Sequence, residues 1–111
     1  MKEYNHDYPY HDYKLFEDTD EPVTYPVGTD NRVGRGDQHK LFVSKSTLLI
    51  ATATTTVRFN STENVTITLI ANIPYTFYSN IHQLYVVAIG AQGVLYAYFE
   101  GVLPEDAGRP E

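Results

Sequence analysis

Between Thr55 and Gly101 the chain alternates apolar and polar side chains with period two, the signature of strands that bury one face. In Thr55–Asn60, Val57 and Phe59 fall on one face and Thr56 and Arg58 on the other. Val65, Ile67 and Leu69 repeat the pattern with Thr66 and Thr68 opposite, in a run dense in β-branched residues. Pro74 interrupts, since proline offers no ladder donor, and Tyr75–Tyr78 reads as the next strand. Leu84–Ile89 is apolar on both faces, which predicts a strand covered on two sides. Gly90-Ala91-Gln92-Gly93 predicts a hairpin turn. In Val94–Glu100, Leu95, Ala97 and Phe99 oppose Tyr96 and Tyr98, and Gly101 is expected to stop the strand.

Upstream the signal weakens. Lys40–Val43 and Thr47–Thr52 predict two strands joined by a Ser44-Lys45-Ser46 turn. Glu21–Gly28 places Val23, Tyr25 and Val27 on one face, an edge strand or a strap. Met1–Asp20 holds few aliphatic residues but five aromatics, with concentrated charge, a composition that folds poorly alone. No helix is expected. The predicted architecture is all-β: a small antiparallel sandwich or flattened barrel of about six or seven strands. An extended, acidic, tyrosine-rich arm and loop over 1–38 precedes a β-domain over 39–103 and a tail over 104–111.

Arg58-Phe59-Asn60, Leu84-Tyr85-Val86-Val87 and the closing Tyr98-Phe99-Glu100-Gly101 give this half of the chain its resemblance to a family. It resembles a small β-domain of virion structural proteins from tailed phages, which pairs an R-F-N strand with an I-Y-V strand and ends in aromatic-x-E-G. The resemblance implies a non-enzymatic virion protein, most simply a capsid decoration or cement protein. It would bind the major capsid protein or other virion subunits, as a homo-oligomer such as a trimer. A tail, connector or fibre-base component is an alternative in the same class, and a small carbohydrate-binding β-sandwich a rival from another.

Charge narrows the partners. The first thirty residues carry eight acids against two bases, and that excess equals the net charge of −6 of all 111 residues. A chain without a basic stripe is not expected to bind nucleic acid. A basic protein surface is the expected dock for the arm. No apolar run reaches the roughly 20 residues that span a bilayer, so no membrane partner is expected. Met1–His6 has no apolar core of a secretory signal, and the chain has no cysteine, which suits assembly in a host cytoplasm.

Candidate chemistry is sparse. His6, Asp7, His11 and Asp12 offer metal-ligand types, but a loose arm would not organise them, so solvated or interface roles are preferred. Arg35-Gly36-Asp37 is an adhesion tripeptide that three loop residues reproduce by chance, and Asn60-Ser61-Thr62 and Asn64-Val65-Thr66 read as unmodified turns. Glu100 has no second carboxylate beside it for glycosidase chemistry, Ser44, Ser46 and Ser79 lie in no nucleophile elbow, and His82 reads as a turn residue. Arg58 is expected to pair with Glu100 across the sheet or to meet an acidic neighbour. No catalytic residue, cofactor or metal is assigned. The residues expected to contact a partner are Tyr4, Tyr8, Tyr10, Tyr13, Phe16, Tyr25, Arg58, Tyr96 and Tyr98, because tyrosines bury large area and keep one polar end.

Overall fold

The computed structural model describes residues 9–29 and 41–107. Tyr4, Tyr8, His6, Asp7, the Arg35-Gly36-Asp37 tripeptide and the end of the tail lie outside the described residues, as does most of the expected boundary loop. The described residues form eight strands, one or two more than the pattern predicts: β1 (Tyr10–Glu17), β2 (Val23–Pro26), β3 (Val43–Ala51), β4 (Thr55–Phe59), β5 (Ile67–Leu69), β6 (Tyr75–Phe77), β7 (Gln83–Ile89) and β8 (Val94–Val102). A 3₁₀ turn (Asp18–Asp20) follows β1, and a single helical turn, α1 (Pro104–Ala107), follows β8.

The strands make two four-stranded sheets, β1-β8-β3-β6 and β2-β7-β4-β5, with every pairing antiparallel. Strands pair one with eight, two with seven, three with six and four with five. This is a long ribbon rolled on itself, the jelly-roll order. Only β4 and β5 are both consecutive and adjacent. The Gly90–Gly93 turn therefore does not close a hairpin; it carries the chain from β7 in one sheet to β8 in the other. Its geometry is nonetheless that of a tight turn, with the Gly93 amide donating to the Gly90 carbonyl at 2.8 Å and Gln92 at φ 62°.

The segment expected to fold poorly contains a strand, β1, and the edge strand or strap expected over Glu21–Gly28 is the edge strand β2. β1 runs the length of β8, from Tyr10 opposite Gly101 to Glu17 opposite Val94. β2 pairs with β7 from Val23 opposite Val86 to Pro26 opposite Gln83. The cause is visible in their inward faces. Phe16, Tyr25 and Val27 are buried; the Phe16 ring meets Tyr25 edge-on at 5.6 Å, and Tyr25 stacks on Phe99 at 6.0 Å. Burying one such ring contributes about 2–3 kcal/mol, enough to hold a strand to its neighbours.

Four of the described acids of this region accept hydrogen bonds from their own chain. Asp12, 3% exposed, accepts from the Tyr25 hydroxyl at 2.5 Å and the Gly28 amide at 2.8 Å, which ties β1 to β2 across the two sheets. Asp18 accepts from Gln92 N at 2.7 Å, and Glu21 from Ile89 N at 2.7 Å. Asp20 accepts from Glu17 N at 2.7 Å within the 3₁₀ turn. Charge-assisted bonds of this kind are about twice as strong as neutral ones.

Three further expectations change. Ser44-Lys45-Ser46 is a bulge inside one continuous β3, not a turn between two strands; the register slips there, and the buried Ser44 and Thr47 hydroxyls bond each other at 2.7 Å. β5 is shorter than expected: it starts at Ile67, and Val65 is 82% exposed. Gly101 does not end β8, which continues to Val102. It is glycine because a Cβ there would lie 1.8 Å from the Val43 carbonyl oxygen.

The R-F-N segment likewise serves the fold. Asn60 sits at φ 71°, a left-handed conformation that asparagine tolerates. Its side chain donates to the Asn80 carbonyl at 3.1 Å and accepts from the His82 amide at 2.8 Å, joining the end of β4 to the approach to β7. Asn60→Ala is expected to lose about 2–3 kcal/mol from strain and two bonds, and Asn60→Gly, which relieves only the backbone part, to lose less. Urea denaturation of the two variants measures the split.

Candidate docking face

Each sheet has one face in the core and one face outside, and the two outer faces differ in chemistry. On the β2-β7-β4-β5 sheet the outward positions include Thr24, Pro26, Gln83, Tyr85, Ala88, Thr56, Arg58 and Thr68, a mostly polar surface. On the β1-β8-β3-β6 sheet they form cross-strand rows. His11, Glu100 and Ser46 make the first; Tyr13, Tyr98, Leu48 and Thr76 the second; Leu15, Tyr96 and Ile50 the third; Glu17 and Val94 the fourth; beyond the first, outside the span of β1, Val43 pairs with Val102. The two middle rows are aromatic or aliphatic except for Thr76.

This patch is open. Tyr13 is 55% exposed, and Leu15 and Leu48 are each 37% exposed, while Ile50, Tyr96 and Tyr98 are half-buried by one another. Tyr13 and Tyr96 lie near-parallel with ring centroids 6.5 Å apart. Interleaving is the local reason: β8 is central, so its outward tyrosines are flanked by β1 on one side and by Leu48 and Ile50 of β3 on the other. An apolar centre bordered by polar groups is the anatomy of a protein interface.

One polar end is ordered by hydrogen bonds. Burial raises the Tyr98 phenol above its ordinary value of 10.0, and the Glu100 charge and a side-chain hydrogen bond to Glu100 raise it further. The phenol oxygen also shares a hydrogen bond with His11 Nδ1 at 2.7 Å, its direction set by the imidazole tautomer. Tyr98 is therefore neutral throughout the physiological range. Because its pKa is raised on folding, its contribution to stability is complete below pH 10 and is lost as pH climbs through the folded value. Glu100→Gln is expected to move that ionisation back toward 10, read as the tyrosinate absorbance difference between Tyr98→Phe and parent in each background.

The residues expected to contact a partner separate into groups. Tyr13, Tyr96 and Tyr98 come together on this face, joined by Leu15, Leu48 and Ile50, which the sequence reading passed over. Their signal was the outward half of each alternation, apolar where a solvated face should be polar. Phe16 and Tyr25 are core, not interface. Tyr10 turns inward and stacks on Phe42 at 5.9 Å. Arg58 and Glu100 stand on different sheets and do not pair; Arg58 donates instead to the Thr62 carbonyl. His11 and Asp12 project from opposite faces of β1 and cannot share an ion. Among the described residues no three His, Asp or Glu side chains are grouped as metal ligands.

Comparison with protein-family models, curated proteins and solved structures returned no match.

Proposed function

We propose that the protein is a non-enzymatic structural component of a tailed-phage particle, a decoration or cement protein of the capsid, that binds other proteins through the outer face of the β1-β8-β3-β6 sheet. The observation that carries the binding role is the contrast between that face and its polar counterpart. Exposed aromatic and aliphatic side chains gathered on one sheet of a small domain mark an interaction site. Jelly rolls serve in viral capsids and in lectins, so the architecture suits both this reading and its rival by analogy alone. The particle assignment rests on the likeness of the R-F-N and E-G segments to virion domains. Asn60 and Gly101 within them have clear work in the fold.

A protein partner is favoured over a glycan by the third row. Leu15 and Ile50 flank Tyr96, where a sugar platform needs flat rings and hydrogen-bonding side chains. Tyr13 enters the interface from a strand already paired with β8, so no ordering cost is paid for that segment on binding.

The test uses particles lacking the protein. Tyr96→Ala is expected to weaken attachment by roughly thirtyfold, the effect of losing about 2 kcal/mol at an aromatic anchor. Tyr85→Ala, on the opposite outer face, is expected to leave attachment unchanged. Equal occupancy by Tyr96→Ala and parent overturns the docking reading, and glycan-array binding lost in Tyr96→Ala transfers the face to the carbohydrate reading.

A further inference from the structure

We infer that, away from the particle, this face is covered by a second copy of the chain, packed sheet against sheet about a two-fold axis. The inference rests on the docking reading and names what covers the face before the particle does. Its basis is the order of the four rows. A two-fold axis lying across the strands, between the second and third rows, keeps each strand over its own counterpart and reverses its direction. The first row then meets the fourth, and the second meets the third.

Under that operation the chemistry matches at each position. His11 of one copy comes over Glu17 of the other, an imidazole against a carboxylate. Tyr98 comes over Tyr96, and Leu48 over Ile50. Tyr13 comes over Leu15. No lysine, arginine or carboxylate falls in the two central rows, so no charge is trapped unpaired. The Glu100 carboxylate, opposite Val94, is already held by the Tyr98 hydroxyl. A self-complementary patch of this kind is what an isologous dimer requires, and it closes at two copies, unlike the trimer implied by the resemblance.

The size also fits. Three strands about 4.8 Å apart, with Thr76 of β6 beside them, and four rows about 7 Å apart project to roughly 15 by 25 Å, and side-chain relief carries the accessible area into the lower range of specific interfaces. Aligned sheets pack about 10 Å apart, close enough for side chains of the central rows to interdigitate.

Sedimentation equilibrium of the full chain is expected to give a species of twice 12.6 kDa. Leu48→Glu, which sets a carboxylate against the apolar centre of the other copy, is expected to weaken association at least about tenfold with the fold intact by circular dichroism. The register has its own test, because the chain has no native cysteine. Mixing Leu48→Cys chains with Ile50→Cys chains and adding a short bis-maleimide is expected to give more cross-linked dimer than either variant alone. A monomer at every concentration to about 0.5 mM, well above the Kd of a specific dimer, overturns the inference. So does a dimer untouched by Leu48→Glu, or one in which like positions cross-link best. A monomer whose attachment to particles still falls with Tyr96→Ala refutes the dimer while leaving the docking reading in place.

Discussion

A chain that begins at residue 30 is expected not to fold. Its loss would remove Phe16, Tyr25 and Val27 from the core and leave Leu95, Ala97 and Phe99 of β8 with one side uncovered. It would also turn β7 and β8, both interior strands, into bare edges prone to pairing with other chains. Truncating a single buried phenylalanine costs about 3–5 kcal/mol, cavity included, and total stabilities of small domains run about 5–15 kcal/mol. Two such rings and the carboxylate linking the sheets exceed what a domain of this size holds in reserve. Single substitutions resolve the same point along one strand. Phe16→Ala is expected to cost about 4 kcal/mol in urea unfolding. Tyr13→Ala, three residues earlier on the outward face, is expected to cost under about 1 kcal/mol. Equal small costs at both positions would mean that β1 is not docked.

Gly101→Ala is expected to be the most damaging one-methyl change in the protein. The added Cβ would lie 1.8 Å from the Val43 carbonyl oxygen and 2.7 Å from Ser44 Cα. These are backbone atoms of β3, held by the pairing of Val43 with Val102 and of Ser44 with Gly101, so no side chain can rotate aside. Overpacking in a tight interior commonly costs about 1–3 kcal/mol, and a clash with paired backbone lies at or above the top of that range. The bulge at Ser44–Ser46 and the Ile81 bridge to Ser44 would shift with it. A melting temperature unchanged in Gly101→Ala would show that β3 and β8 do not approach as described.

Why some of this was legible in the sequence, and some not, follows from which forces leave a one-dimensional trace. β4 and β8 bury Val57, Leu95, Ala97 and Phe99 on one face, and strict alternation gives such strands away. β1 alternates as well, but its inward positions are Tyr10, Asp12, Lys14 and Phe16. Two of those four are charged types, so the hydrophobic signal vanishes even though the strand is docked. Asp12 can be buried only because Tyr25 and Gly28, far from it in sequence, present donors to it. No local window contains that pair. The Ser44-Lys45-Ser46 bulge fails in the same way, since a serine buried against Thr47 has the composition of a turn. The rolled topology pairs the first strand with the last, so the Gly90–Gly93 turn could not be told from a hairpin without its three-dimensional neighbours.

The tyrosine face was half visible. Alternation alone sets Tyr96 and Tyr98 opposite Leu95, Ala97 and Phe99, and Tyr13 stands out only by its type. What the sequence could not supply was the lateral order of β1, β8 and β3, which sets Leu15, Tyr96 and Ile50 in one row. A face assembled from three distant segments exists only after the sandwich closes. Its formation therefore depends on β1 being part of that sandwich.

Hydrogen exchange of the full chain at neutral pH tests that dependence most directly. The amides of Tyr10–Glu17 that pair with β8 are expected to exchange as slowly as those of β7 and β8, through global unfolding alone. Exchange of those amides at the rate of an unstructured peptide, with β7 and β8 still protected, would contradict the account: the leading segment would then be an arm after all, and the tyrosine face would have no fixed form.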